Sequence, residues 1–248
     1  MLDYEAEAEA DAYDATRGGE PRAGAAAEAV LGLVPEDAGR LLDVACGTGI
    51  VTRRLAAGRP GLRVTGADLT HAMARLAVAR LPGAVVRADC GRLPVRDQAF
   101  EAVTTIWLLH LLQGPEDARA VVTECARALR PGGVYITTVD KAAAHDVGSD
   151  IDTALAVRPR RPALDAAETV TEYAAACGLV PAGQARFPGV GQGRSPRRTM
   201  EDLRRGWFTT TGPGDPTGDR IAARLAALPD QDRPRPDPVF TLRAFRKE

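Results

Sequence analysis

The sequence predicts a doubly wound α/β fold. Short apolar runs alternate with helical stretches from Gly39 to Lys141, the first run ends in a glycine turn, and acids stand at the ends of three successive runs. Leu41–Ala45, Leu62–Ala67, Ala84–Ala88, Ala102–Leu108 and Val134–Val139 read as strands, too short and too uniformly apolar to be amphipathic helices. Helices are expected between most of them, which makes the strands parallel and covered on both faces.

At 248 residues the chain has ample length for a single domain with a real core, and it is taken as one unit, 1–248. Residues 3–15 are rich in Ala, Glu and Asp and read as a helix. Thr16-Arg17-Gly18-Gly19 breaks it, and Pro21 suits the first turn of a second helix reaching about Val34. The helix after Pro115 is the clearest: Ala118, Val121, Val122, Cys125, Ala126 and Leu129 recur at helical spacing, and Arg130-Pro131-Gly132-Gly133 stops it. After Lys141 the alternation fails. A helix is expected from Asp165 to Cys177, then a glycine-rich stretch through Gly193, short helices at Thr199–Trp207 and 219–228, and a half-buried strand over 239–246.

The net charge of −1 gives no electrostatic reason to expect nucleic acid or an anionic membrane as partner. Local imbalance exists: six acids and no base in the first fourteen residues, and six arginines against two acids from Arg186 to Arg205, runs that solvated faces ordinarily explain. Cys46, Cys90, Cys125 and Cys177 form no CxxC pair, so neither structural zinc nor another metal site is expected. No run is long and apolar enough for a membrane span, and the acidic N-terminus lacks the features of a secretory signal. A cytoplasmic protein is expected.

The chemistry-bearing residues sit at the strand ends. Gly47 and Gly49 form a turn between strand and helix that lets backbone approach a ligand. Asp43 lies four residues before Gly47, where a carboxylate can accept from an ammonium or an ordered water. Asp68 ends the second strand, nineteen residues beyond Gly49, the place where an acid takes ribose hydroxyls. Asp89 ends the third, where a carboxylate could take an exocyclic amine of adenine. A nicotinamide site wants a third glycine where this chain has Thr52. The Asp/Asn-Pro-Pro-aromatic turn of nucleic-acid amino-methyltransferases is replaced by Thr104-Thr105-Ile106-Trp107-Leu108-Leu109-His110.

DVACGTG (43–49), GADLT (66–70), RADCGRLPVRDQAFEAV (87–103) and ALRPGGVYI (128–136) resemble, in order and spacing, the successive motifs of class I S-adenosylmethionine-dependent methyltransferases. The likeness covers roughly residues 10–140. It implies a Rossmann-like, seven-stranded, mainly parallel sheet whose last strand runs antiparallel beside the fifth, preceded by N-terminal helices and carrying a partial cap. It implies S-adenosyl-L-methionine as cofactor, with Asp43, Ala45, Gly47 and Gly49 at its methionine part, Asp68 on the ribose, Leu69 and Met73 packed against it, Asp89 and Cys90 about the adenine, and Ile106 beside it. Ala45 departs from the glycine more usual at its position. Cys46 and Cys90 read as small residues tolerated in tight turns.

His110 follows the fourth strand in a setting similar to the general-base histidine of small-molecule O-methyltransferases, though Leu111-Leu112 replace the Asp-Trp that usually follows. A base and a packing residue are both open for it. Tyr13 and Arg17 resemble the Tyr-Asp helix that folds over the cofactor in related enzymes, and an ordinary anchoring helix is the alternative. The likeness, strengthened by FPGVGQGRSPRR (187–198), implies methyl transfer to O, N or C of a small molecule of bacterial secondary metabolism, by a monomer or homodimer. The alternative is a cofactor-binding regulator or cyclase that transfers no methyl. The segments outside the core unit (1–38, 141–163 and 186–208, around a cofactor core of 39–140) are expected to cover the substrate, with His145, Phe187, Trp207 and Phe208 as candidate walls.

Overall fold

A computed structural model describes residues 6–157, 163–206 and 216–248. Trp207 and Phe208 lie outside the described residues. The chain opens with α1 (Glu7–Thr16) and α2 (Gly19–Leu31), then alternates β1 (Arg40–Val44), α3 (Ile50–Gly58), β2 (Arg63–Asp68), α4 (His71–Arg80), β3 (Val85–Arg87), β4 (Phe100–Thr105), α5 (Pro115–Ala128) and β5 (Leu129–Val139). Two short helices follow, α6 (Lys141–Ala144) and α7 (Asp150–Leu155), then α8 (Ala167–Ala176), β6 (Leu179–Pro188), α9 (Pro196–Arg204), α10 (Pro216–Ala226) and β7 (Val239–Lys247).

The seven strands form one sheet in the order β3-β2-β1-β4-β5-β7-β6. The first five are parallel, and β7 runs antiparallel between β5 and β6, so Tyr135 faces Phe245 and Thr137 faces Arg243 across the ladder. The Rossmann-like sheet with its antiparallel last strand beside the fifth is therefore what the sequence predicts. The sequence places six of the seven expected strands; the remaining one, β6, occupies the first part of the glycine-rich stretch, as an exposed edge carrying Pro181, Gly183 and Pro188. Edge strands tolerate prolines because one row of their N–H groups has no ladder partner to lose.

Local chemistry accounts for the helix limits. Pro115 sits in the first turn of α5, where its missing N–H is not needed. Glu116 and Asp117 face the positive end of the helix dipole, and Arg127 the negative end. Ser149 and Asp152 form a reciprocal capping box at the start of α7, and Ser195 caps α9 by accepting from the Arg198 N–H.

Alternation along β1 sends Leu41 and Leu42 to opposite faces of the sheet. Leu42 joins Val103, Tyr135 and Phe245 under α5 and α8, while Leu41 joins Ala102, Ile136 and Leu242 under α2 and α3. A smaller cluster of Ile151, Leu155, Ile221 and Leu225 holds α7 and α10 together, with Met200 and Leu203 of α9 at its border. The fold thus leaves the carboxyl ends of β1, β2, β4 and β5 along one edge, where open α/β sheets bind their ligands.

Candidate functional site

The turn after β1 is built for close approach. Ala45, Gly47 and Gly49 all take positive φ, at 58°, 57° and 75°. Gly49 needs to be glycine for a second reason: a Cβ there would lie 2.9 Å from the Cα of Ala77 in α4. At Gly47 the space is open, with nothing within 4 Å of where a Cβ would stand. A ligand can therefore reach the Gly47 backbone from outside.

Asp68, buried at the end of β2, is fixed by two backbone donors. The Gly47 N–H reaches one carboxylate oxygen at 2.8 Å and the Thr70 N–H the other at 2.9 Å. Leu69 beside it is 56% exposed and offers an apolar floor. Asp89 is exposed just beyond β3, accepting the Gly91 N–H at 2.8 Å, with Cys90 half-buried next to it. Burial raises the Cys90 thiol to about 11 and lifts that of Cys46 further, so neither is a ready thiolate.

Asp43 faces inward. Its two carboxylate oxygens accept from the hydroxyls of Thr52 (2.6 Å) and Thr104 (2.9 Å), which ties β1 to α3 and β4. Burial lifts its pKa to about 6 against the opposing pull of the two hydroxyls. Met73 is equally enclosed, under Ala10 and Tyr13 of α1, and Ile106 is buried with the α2–α3 face.

The N-terminal helix is clamped onto the turn. Asp14 accepts from the Thr48 hydroxyl at 2.8 Å and pairs with Arg80 at 2.6 Å, and Arg80 also donates to the Thr48 carbonyl at 2.7 Å. This holds Tyr13 and Arg17, whose guanidinium lies 5.9 Å from the Tyr13 ring centre, beside the glycine turn.

The far end of the edge is cationic. His110 sits in a 3-10 turn (Leu109–Leu111) after β4, and its Nε2 is 3.0 Å from the Nζ of Lys141, the second residue past β5. Burial, then Lys141, then His145 lower the His110 pKa to about 2. Burial, with Arg17, Arg22 and Arg194 nearby, lowers Lys141 to about 7 against the opposite effect of Asp165. His145 is brought to about 3 by burial, Arg194, Lys141 and Arg17. Its ring meets the edge of Phe240 at 5.5 Å.

Trp107 bridges this end to the core. Its ring packs edge-on against Phe187 (5.7 Å) and Phe240 (5.6 Å), and the Arg22 guanidinium stacks over it at 4.2 Å. Phe187 is consequently a core side chain of β6. Lys141, Arg22 and Trp107 are additions to the residues singled out from sequence. The signal for Lys141 was its position, since it follows a strand end just as Asp89 does. Arg22 is the one cation on the alanine stripe of α2 (Ala23, Ala26, Ala27, Val30). Among the described residues, no group of three or more His, Cys, Asp or Glu is placed to hold a metal, and no helix is long and apolar enough to cross a membrane.

Residues 42–137 match the family described as methyltransferase domain. Among curated proteins, the chain is 37% identical over 99 residues to the ubiquinone/menaquinone biosynthesis C-methyltransferase UbiE of Desulfotalea psychrophila, covering 39% of each chain. It is 35% identical over 121 residues to the ubiquinone biosynthesis O-methyltransferase of Paracidovorax citrulli, covering 45% of this chain and 48% of that one. The chain thus spans less than half the length of these relatives. Among solved structures, the [4+2]-cyclase SpnF superposes with a TM-score of 0.61 at 22% identity, covering 97% of this chain and 93% of that one. A protein from Bacillus halodurans described as a putative methyltransferase gives 0.58 at 18%, covering 90% of this chain and 98% of that one. At these identities the likeness is one of fold.

Proposed function

We propose, from the match of residues 42–137 to the methyltransferase domain family, that the chain is a class I S-adenosylmethionine-dependent methyltransferase and that it transfers a methyl group from S-adenosylmethionine to an O, N or C acceptor on a small molecule of secondary metabolism. The observation that carries this reading is the pairing of open space at Gly47 with a carboxylate at Asp68 fixed by the Gly47 N–H. An adenosyl ligand with two ribose hydroxyls and a flat base matches that arrangement, since Asp68 supplies acceptors and Leu69 an exposed apolar surface. Bound there, the cofactor would supply a sulfonium methyl already activated for in-line displacement.

The chain's own residues then divide the work. Asp68 holds the ribose, Leu69 packs on the base, and Asp89 and Cys90 border it. Tyr13 and Arg17, held over the turn by the Asp14–Thr48–Arg80 clamp, meet the methionine carboxylate. Ala45, Gly47 and Gly49 shape the floor, while Asp43, Met73 and Ile106 support it from within. At the far end, neutral Lys141 takes the acceptor's proton and His110 positions the Lys141 nitrogen. The described parts of the segments outside the core, 141–157 and 186–206, cover the acceptor and keep water out.

The test is incubation with S-adenosylmethionine carrying a deuterated methyl, in a small-molecule extract. A product that gains the labelled methyl, in step with S-adenosylhomocysteine, is the expected result. Cofactor binding with no loss of its methyl would overturn methyl transfer and leave a cyclase or a regulator.

A further inference from the structure

Lys141 is held at both ends of its length. Its Nζ stands 3.0 Å from His110 Nε2, and its backbone N–H donates to Asp165 Oδ2 at 2.9 Å. Asp165 lies just ahead of α8 and is 1% exposed. The junction is fixed twice more: the Asp165 carbonyl accepts the Asp140 N–H at 2.8 Å, and the Asp140 carboxylate accepts the Ala167 N–H at 3.1 Å. One atom of it is left over. Asp165 Oδ1 is buried with no hydrogen-bond partner, an uncommon state for a carboxylate oxygen inside a protein.

Methyl transfer with Lys141 as base would supply that partner. The acceptor's bond to hydrogen breaks, and the proton passes to the lone pair of Lys141 Nζ. The acceptor's electron pair forms the bond to the methyl carbon, while the carbon–sulfur pair returns to sulfur. The positive charge lost from the sulfonium therefore ends on Lys141. An ammonium has three N–H donors, and neutral His110 can accept one of them at Nε2. It also needs a counter-charge, because an unpaired ammonium out of water is strongly disfavoured. Arg17, Arg22 and Arg194 oppose a charge on Lys141, and burial keeps His110 and His145 neutral. Those arginines face acids of their own, Asp14 beside Arg22 and Asp202 beside Arg17 and Arg194. The acid that acts on Lys141 is Asp165, with Asp140 as its neighbour.

We propose that Asp165 is a positioning residue for the reaction: its unpartnered Oδ1 is the counter-charge for the ammonium formed on Lys141, while His110 Nε2 accepts one of the ammonium's N–H groups. This rests on the methyl-transfer reading in taking Lys141 as the base. The bond from the Lys141 N–H to Oδ2 keeps the carboxylate on the residue that acquires the charge. The amine then needs only to turn about its own flexible side chain to reach Oδ1. A merely structural Asp165, joining the lead into α8 to the end of β5, would be replaced without loss by asparagine, whose carbonyl oxygen also accepts the Lys141 N–H.

The test is an NMR titration of the full chain. Lys141 and Lys247 are its two lysines, so lysine labelled with carbon-13 at Cε gives two signals. Lys247, whose Nζ donates to the Ala126 and Leu129 carbonyls, is the internal reference. Lys141 should titrate at about 7 in the parent. In Asp165→Asn it should titrate lower by at least about half a pH unit, and Asp165→Glu should return it toward the parent. The rise of kcat/KM with pH should move the same distance to lower pH in Asp165→Asn. There kcat should fall at least about tenfold, with affinity for S-adenosylhomocysteine unchanged. A second measurement does not need that variant: the Asp165 carboxyl carbon should shift as Lys141 titrates, and the step should vanish in Lys141→Met. The proposal is overturned if Lys141 titrates alike in the parent and Asp165→Asn. Should Asp165→Asn not fold, an Asp165 carbon indifferent to the Lys141 titration overturns it. A moved Lys141 titration with an unmoved kcat/KM profile would uphold the pairing of Asp165 with Lys141 and remove Lys141 as the base.

Discussion

His110 Nε2 and Lys141 Nζ lie 3.0 Å apart and join the ends of the neighbouring parallel strands β4 and β5. Burial, with the charge of Lys141, brings the imidazole to about 2, and burial, with Arg17, Arg22 and Arg194 nearby, brings the amine to about 7. The group that changes charge near neutrality is therefore the lysine. The imidazole stays neutral throughout. A lysine that must be neutral to accept a proton makes kcat/KM for methyl transfer rise with pH through about 7. Lys141→Met should flatten that rise and lower turnover about 10²-fold or more. A rise that survives in Lys141→Met and vanishes in His110→Ala would return the role of base to His110.

Asp43 predicts a different pH signature. Its folded pKa is raised from 3.8 to about 6, chiefly by burial. Between those values the folded state keeps a proton that the unfolded chain has released, so stability falls as pH rises through that window. Asp43→Asn has no such dependence. The difference in urea midpoint between parent and variant should accordingly move toward the variant from about pH 4 to about pH 6. A difference independent of pH would show that Asp43 is ionised throughout.

Two glycines of the α1–α2 region should respond oppositely to alanine. Gly18 has φ of 85°, and a Cβ there would stand 2.1 Å from the Val190 carbonyl oxygen, so Gly18→Ala forces the 189–194 loop away. A loss of about 2 kcal/mol or more is expected, read by thermal or urea unfolding. Gly24, inside α2 with nothing within 4 Å, should gain about 0.5–1 kcal/mol as alanine. Equal effects at the two positions would contradict the packing of the loop on Gly18.

The cofactor half of the edge was legible in sequence because its residues sit at a repeated place, at or just past the end of an apolar strand. Asp68 and Asp89 follow that rule, and so does the turn at Gly47–Gly49. Lys141 obeys it too, but the strand-end reading stopped at the fourth strand, with His110. Arg22 gave no such signal. It stands in an alanine-rich helix, and only the tertiary fold brings it over Trp107. β6 escaped because an edge strand with two prolines and a glycine shows no alternation. Asp43 shows the limit of position alone, since its place in the strand was plain while its bonds to Thr52 and Thr104 depend on α3 and β4 packing around it.

The central claim is that the turn after β1 and the acid ending β2 form one S-adenosylmethionine site. Calorimetric titration of the parent chain, Asp68→Ala and Gly47→Val tests it most directly. Asp68→Ala removes the charged acceptor for two ribose hydroxyls and should weaken binding by roughly 1–3 kcal/mol. Gly47→Val puts a branched side chain into the open space at a positive φ and should weaken it further. Binding in the parent with that order of loss is the predicted result, and parental affinity in both variants would contradict the account.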